Sequence, residues 1–146
     1  MFKNFMILSL LAFSSSLYAA CSLEMSSGDL LKFNKRTLTI DSTCSKFTIY
    51  FKHEGEMAAK TFGHNVVIVE TKNFDKVKSK IDMKLGEESG YLPDMSEIIA
   101  KTAIVGGGSD TSVTFNARNL SRDSEYMFFC SFPGHYGAMQ GPVKII

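Results

Sequence analysis

The chain has 146 residues, with 16 Lys and Arg against 15 Asp and Glu, enough for one domain with its own core and short for two. So even a balance offers no bulk attraction for a polyanion, which argues against nucleic-acid binding. Three cysteines and no tryptophan complete the unusual counts.

The first 20 residues read as a secretory signal. Lys3 precedes an apolar run from Phe5 to Phe13, and Ser14 to Ala20 supply a small-residue cleavage zone. The run is shorter than the roughly 20 residues that span a bilayer, and no later stretch approaches it, so no membrane span is expected. Ala19-Ala20-Cys21 also leaves open a lipidated Cys21, although Tyr18 suits such a signal poorly. Residues 21–146 are then one exported domain. Lys3 is the only charge in the first 20 residues, so this domain carries 15 basic and 15 acidic side chains. Its compartment, the periplasm, permits disulfides.

Taken in chain order, seven segments carry strand signals: 36–41 (RTLTID), 46–53 (KFTIYFKH), 64–70 (HNVVIVE), 98–105 (IIAKTAIV), 111–117 (TSVTFNA), 125–130 (EYMFFC) and 141–146 (GPVKII). In the second, Phe47, Ile49 and Phe51 share one face and Thr48, Tyr50 and Lys52 the other, the period of a half-buried strand. His53 continues the inward parity. In the fifth, Val113, Phe115 and Ala117 do the same. Phe74, Val77, Ile81 and Leu85 instead recur at helical spacing before Gly86, predicting a short amphipathic helix whose Lys76, Lys78, Lys80 and Lys84 face solvent. The GGGSD run at 106–110 lacks the Lys-Ser/Thr ending of a phosphate loop and reads as a flexible turn. Seven or eight short strands with one inserted helix predict an all-β Greek-key sandwich or barrel.

The chemistry concentrates in FFCSFPGHYGAM, residues 128–139. Cys130, His135 and Met139 are soft donors, which select copper, zinc or iron-sulfur chemistry over hard cations. Iron-sulfur clusters need more cysteines, and a thioether is a poor fourth ligand for structural zinc. A thiolate and two imidazoles with a weak Met form an electron-transfer copper set, so a second histidine is required. His64 follows Gly63 at the mouth of an apolar strand, where a missing side chain lets a carbonyl approach a metal. With Cys130 in the cluster, Cys21 and Cys44 are left as the candidate disulfide.

GHN at 63–65, followed far downstream by Cys-x4-His-x3-Met in YMFFCSFPGHYGAM, resembles the cupredoxins and, within them, the azurin group. The Cys21 and Cys44 pair, the inserted helix, SVTF at 112–115 and the closing strand fall in the same order. The resemblance implies one type 1 copper ion held by His64, Cys130 and His135. Met139 and the Gly63 carbonyl are its axial donors on this reading. It also implies that Asn65 ties the two ligand loops, that backbone amides near Phe132 hydrogen-bond the cysteine sulfur, and that His53 is a buried second histidine off the metal. A monomeric, non-enzymatic electron carrier follows, docking c-type cytochromes or a copper-containing reductase near His135. A copper storage or delivery protein is the alternative. Val66 stands where many of the azurin group have tryptophan, and Tyr136-Gly137-Ala138 replaces a more aliphatic run.

Overall fold

The computed structural model describes residues 20–146, so the secretory-signal reading falls, but for Ala20, outside the described residues. Eight strands form: β1 (Ser22–Ser27), β2 (Leu38–Ile40), β3 (Phe47–His53), β4 (Val67–Glu70), β5 (Ile98–Lys101), β6 (Asp110–Phe115), β7 (Tyr126–Phe129) and β8 (Gln140–Ile145). They make two sheets, ordered β1-β3-β6 and β2-β8-β7-β4-β5. The two sheets pack as a sandwich rather than a closed barrel.

Strand alternation explains the core. Phe47, Ile49, Phe51 and His53 are buried while Tyr50 and Lys52 face solvent, so β3 sets one inner face by its period of two. Leu38, Ile40, Ile68 and Phe128 meet them from the larger sheet. Burying each such side chain contributes about 1.5–3 kcal/mol. Val66 is buried in this cluster. β4 and β7 are apolar on both faces because a second cluster, Val67, Val69, Val77, Leu92 and Phe129, covers the outer side of the larger sheet.

Four local features differ from the sequence expectation. β1 carries no strong alternation, yet it pairs in parallel with β3 along its whole length. Ala117 is buried in a 3-10 turn, Ala117–Asn119, rather than on the strand face, because β6 stops at Phe115 and Asn116 caps the turn by accepting the Arg118 N–H. The predicted helix is shorter. A 3-10 turn, Thr71–Asn73, leads into an α-helix over Phe74–Lys78, after which Asp82 accepts the Lys84 N–H and redirects the chain. Val77 is buried on it, whereas Leu85 is exposed. Its lysines pair locally, Lys76 with Glu97 and Lys78 with Asp75, a solvated face as expected. A further one-turn helix, Ala59–Phe62, has no periodic signal. We call these helices α2 and α1 respectively.

The glycine run is a tight turn with a packing reason. A Cβ at Gly106 would lie 2.4 Å from the Ala59 nitrogen, and one at Gly107 would lie 2.5 Å from the Gly55 carbonyl oxygen. These glycines let the turn press on the backbone of residues 55–59, where the Gly107 N–H donates to the Met57 carbonyl.

The sandwich has two distinct ends. At one, Cys21 and Cys44 form a disulfide, and the Tyr126 hydroxyl accepts the Ser121 N–H at 3.0 Å, a tyrosine corner. At the other, β1, β3 and β7 end and β4 and β8 begin, bringing His53, His64, Cys130 and Met139 to one place. No helix among the described residues is long and apolar enough to cross a membrane.

Candidate metal centre

Each donor is placed by its own piece of backbone. His64 precedes β4, and its N–H and carbonyl both bond Val105. Gly63, just before it, is a glycine for close packing: a Cβ there would meet the Ala59 carbonyl oxygen at 2.4 Å and the Ile104 methyl at 2.5 Å. Cys130 follows β7, and its N–H donates to the Met139 carbonyl at 3.0 Å. Between them the turn is closed by the His135 N–H on the Phe132 carbonyl and the Met139 N–H on the His135 carbonyl. Gly134 has φ of +86°, a left-handed turn position that glycine adopts without strain.

Three donor atoms converge. The Cys130 Sγ lies 3.8 Å from the His64 Nδ1 and 3.8 Å from the His135 Nδ1, and the two nitrogens are 3.2 Å apart. The point equidistant from all three is about 2.1 Å from each, the length of a metal bond to imidazole nitrogen and about 0.2 Å short of one to thiolate. Facing nitrogens with a sulfur between them satisfy one another poorly, and a cation at the centre satisfies all three. The residues therefore fit a soft metal. Met139 is completely buried within the same turn.

Burial sets the protonation of the site in the metal-free protein. It pushes the Cys130 thiol up to about 11, against the pull of the Asn65 and Phe132 backbone N–H groups that hydrogen-bond its sulfur. It pushes His64 and His135 down to about 4. At neutral pH the site is a thiol and two neutral imidazoles, so an incoming cation meets two free lone pairs and must displace one proton.

The surroundings lock this arrangement. His64 Nε2–H donates to the Gly28 carbonyl at 2.9 Å, leaving Nδ1 as the free lone pair. The Asn65 side chain accepts the Ser131 N–H at 2.9 Å and donates to the Ser131 Oγ at 2.9 Å, and that hydroxyl donates on to the Gly90 carbonyl at 2.7 Å. His53 stacks on His64 with ring centroids 4.9 Å apart, its Nε2 donating to the Phe62 carbonyl and its Nδ1 accepting the Gly55 N–H. His135 is sandwiched by Phe132 at 4.4 Å and Phe62 at 4.7 Å. It is 5% exposed; Phe62 against it and its chain neighbours Pro133 and Tyr136 are half-buried, and Gly137 and Ala138 are exposed.

Sequence reasoning missed Gly28, Ser131, Gly90 and the Asn65 backbone N–H as supports. Gly28 and Gly90 act only through backbone carbonyls, which leave no residue-type signal. Ser131, next to Cys130 in the donor turn, was the one detectable clue.

A family model described as copper binding proteins, plastocyanin/azurin family, matches residues 19–146. An azurin of Alcaligenes faecalis is 38% identical over 86% of this chain and 98% of its own length. An azurin of Pseudomonas aeruginosa is 35% identical over 99% of both. A solved structure of an azurin, Az-iso2, from Methylomonas sp. strain J superposes with a TM-score of 0.81 at 34% identity, covering 88% of this chain and 99% of that one. With that family model over residues 19–146, azurins at 35–38% identity and a superposable sandwich, the chain, which carries a buried Cys-His-His cluster, belongs to the plastocyanin/azurin family of copper-binding proteins.

Proposed function

We propose that this protein is a one-electron carrier that uses a single copper ion held by His64, Cys130 and His135, with Met139 and the Gly63 carbonyl as weaker donors. The observation that carries the reading is the buried triangle of one sulfur and two imidazole nitrogens with edges of 3.8, 3.8 and 3.2 Å. Copper, when bound, supplies a one-electron couple whose two oxidation states prefer different geometries. The chain's part is to hold its donors still. His64 is fixed by Gly28 and His53, Cys130 by two backbone N–H groups at its sulfur and by its own N–H on the Met139 carbonyl, and His135 by two aromatic rings. Little has to move when charge changes, which keeps transfer fast.

His135 is the exit. Of the two imidazoles it lies under the thinner cover, and Phe62, Pro133, Tyr136, Gly137 and Ala138 around it make a mostly apolar surface suited to brief encounters with redox proteins such as c-type cytochromes or a copper-containing reductase. The domain, residues 21–146, acts as a monomer in the periplasm after removal of residues 1–20. No covalent chemistry is assigned to Cys130, whose thiol is buried and held protonated far above neutrality.

The test is to add Cu(II) to metal-free protein and record the visible spectrum beside Cys130→Ser. Intense blue absorption that disappears in the variant is expected. A wild-type protein that takes up no copper, or stays colourless with copper bound, overturns the reading.

A further inference from the structure

We propose that Asp29 is a positioning residue for His64, acting through the Gly28 carbonyl; the inference rests on the reading of His64 as a metal ligand. Gly28 and Asp29 lie in the loop after β1, 36 and 35 positions before His64 in sequence, and Gly28 receives the His64 Nε2–H at 2.9 Å. A carbonyl orients an imidazole only as well as its own peptide is held. The peptide that follows it is held by the Asp29 carboxylate, whose Oδ2 accepts the Glu56 N–H at 2.9 Å and whose Oδ1 accepts the Met57 N–H at 3.0 Å. The Glu54 N–H adds a bond to the Ser27 carbonyl at 2.7 Å. The carboxylate fills the space beside Gly55 so closely that a Cβ there would lie 2.1 Å from Oδ1.

The same 54–57 turn reaches His64 from the other side. The Gly55 N–H donates to the His53 Nδ1 at 3.1 Å, the His53 Nε2–H donates to the Phe62 carbonyl at 3.1 Å, and the His53 ring stacks on the His64 ring with 13° between planes. A closed circuit results: His64 to Gly28, Asp29 to the 54–57 turn, that turn to His53, and His53 back to the chain entering His64. Asp29 is the only side-chain link between the two halves of the circuit among the described hydrogen bonds. Its two backbone N–H partners also hold its carboxyl below the usual carboxylate range, so the link keeps its full acceptor strength at neutral pH.

The test uses the full-length exported domain in metal-free and copper-loaded form, with Asp41→Ala as control. Asp41 accepts the Thr43 N–H at 2.8 Å and its hydroxyl at 2.7 Å, the same kind of turn clamp at the disulfide end. In Asp29→Ala, solvent exchange of the His64 Nε2–H, read by nitrogen-15 NMR on the metal-free protein, is expected to speed up roughly tenfold, the loss of about one oriented hydrogen bond. Release of copper to a chelator is expected to rise about fivefold, toward the effect of losing a ligand's outer partner. Asp41→Ala is expected to leave both within about twofold of wild type, since it touches neither ring. Asp29→Asn, which keeps the shape and one acceptor, shows a smaller change of the same sign and serves where the alanine variant folds poorly. If Asp29→Ala matches Asp41→Ala in both readouts, the inference is overturned. A wild-type protein without a blue band removes the copper reading alone, because His64 exchange in the metal-free protein still decides the role of Asp29.

Discussion

The two ends of the sandwich solve the same problem with different bonds. At the Cys21–Cys44 end a covalent link and a tyrosine corner fasten the chain; the groups there ask for no particular geometry beyond closure. At the metal end no covalent cross-link exists among the described residues, and the donors are placed by hydrogen bonds from Gly28, Asn65, Ser131 and Met139 and by stacking from His53 and Phe132. The first kind of fastening restricts the unfolded chain. The second restricts the folded one, and only it can aim an imidazole. Stability and ligand geometry are therefore separable in this molecule.

Substitutions that break one end without the other sharpen the comparison. Replacing Cys21 and Cys44 together by alanine is expected to lower unfolding free energy by about 3 kcal/mol, from the entropy of the released loop, while leaving the blue absorption of the copper protein unchanged; denaturant titration and a visible spectrum on one sample check both. A shifted spectrum would show that the two ends are coupled after all. Asn65→Ala reverses the pattern. It leaves the Ser131 N–H without its buried acceptor and the Ser131 hydroxyl without the Asn65 amide donor, so stability falls by about 2 kcal/mol and copper release accelerates.

Acid should divide the metal-free from the loaded protein. Burial holds His64 and His135 at about 4 against an ordinary value of 6.5, so between these values the unfolded chain binds protons that the folded one refuses. Stability of the metal-free protein is full above pH 6.5 and falls as pH drops toward about 4. Thermal unfolding across that range, with and without copper, tests it: the slope is expected in the metal-free protein and is reduced in the loaded one, where the nitrogens are already occupied. The smallest effect concerns encounter. Residues 21–146 carry 15 charges of each sign, which gives little steering, so transfer rates to a redox partner are expected to change by less than about threefold between low and physiological salt. A steep fall would point to the lysines of α2 as a docking site.

The legibility of the two ends from sequence also differs. His64, Cys130, His135 and Met139 stand out because they are rare residue types at telling intervals, and the parity of β3 reads directly from Phe47, Ile49, Phe51 and His53. The structure brings the first three together and buries Met139 in their turn. What stays hidden is carried by backbone. Gly28 orients His64 with a carbonyl that any residue possesses, β1 is a strand because β3 offers it an edge, and beyond Lys78 the chain turns at Asp82, whose side chain caps the next 3-10 turn and whose N–H bonds the Tyr91 carbonyl, although Leu85 continues the period. Gly106 and Gly107 look flexible in sequence and are glycines because residues 55–59 leave no room for a side chain.

The order of the strands also sets a timetable for assembly. Cys130, His135 and Met139 belong to the connection between β7 and β8, which pair as neighbours, and can come together as soon as that hairpin forms. His64 joins only when β4 pairs with β7, and the larger sheet is complete only when β2 finds β8, a closure in which Ser42 bonds a carbonyl 104 residues away. Contacts so distant in sequence form slowly. Three of the four donors are thus local to one hairpin and the fourth depends on a long-range closure of the sheet, so loosening β4 from β7 would withdraw His64 and leave the hairpin donors gathered.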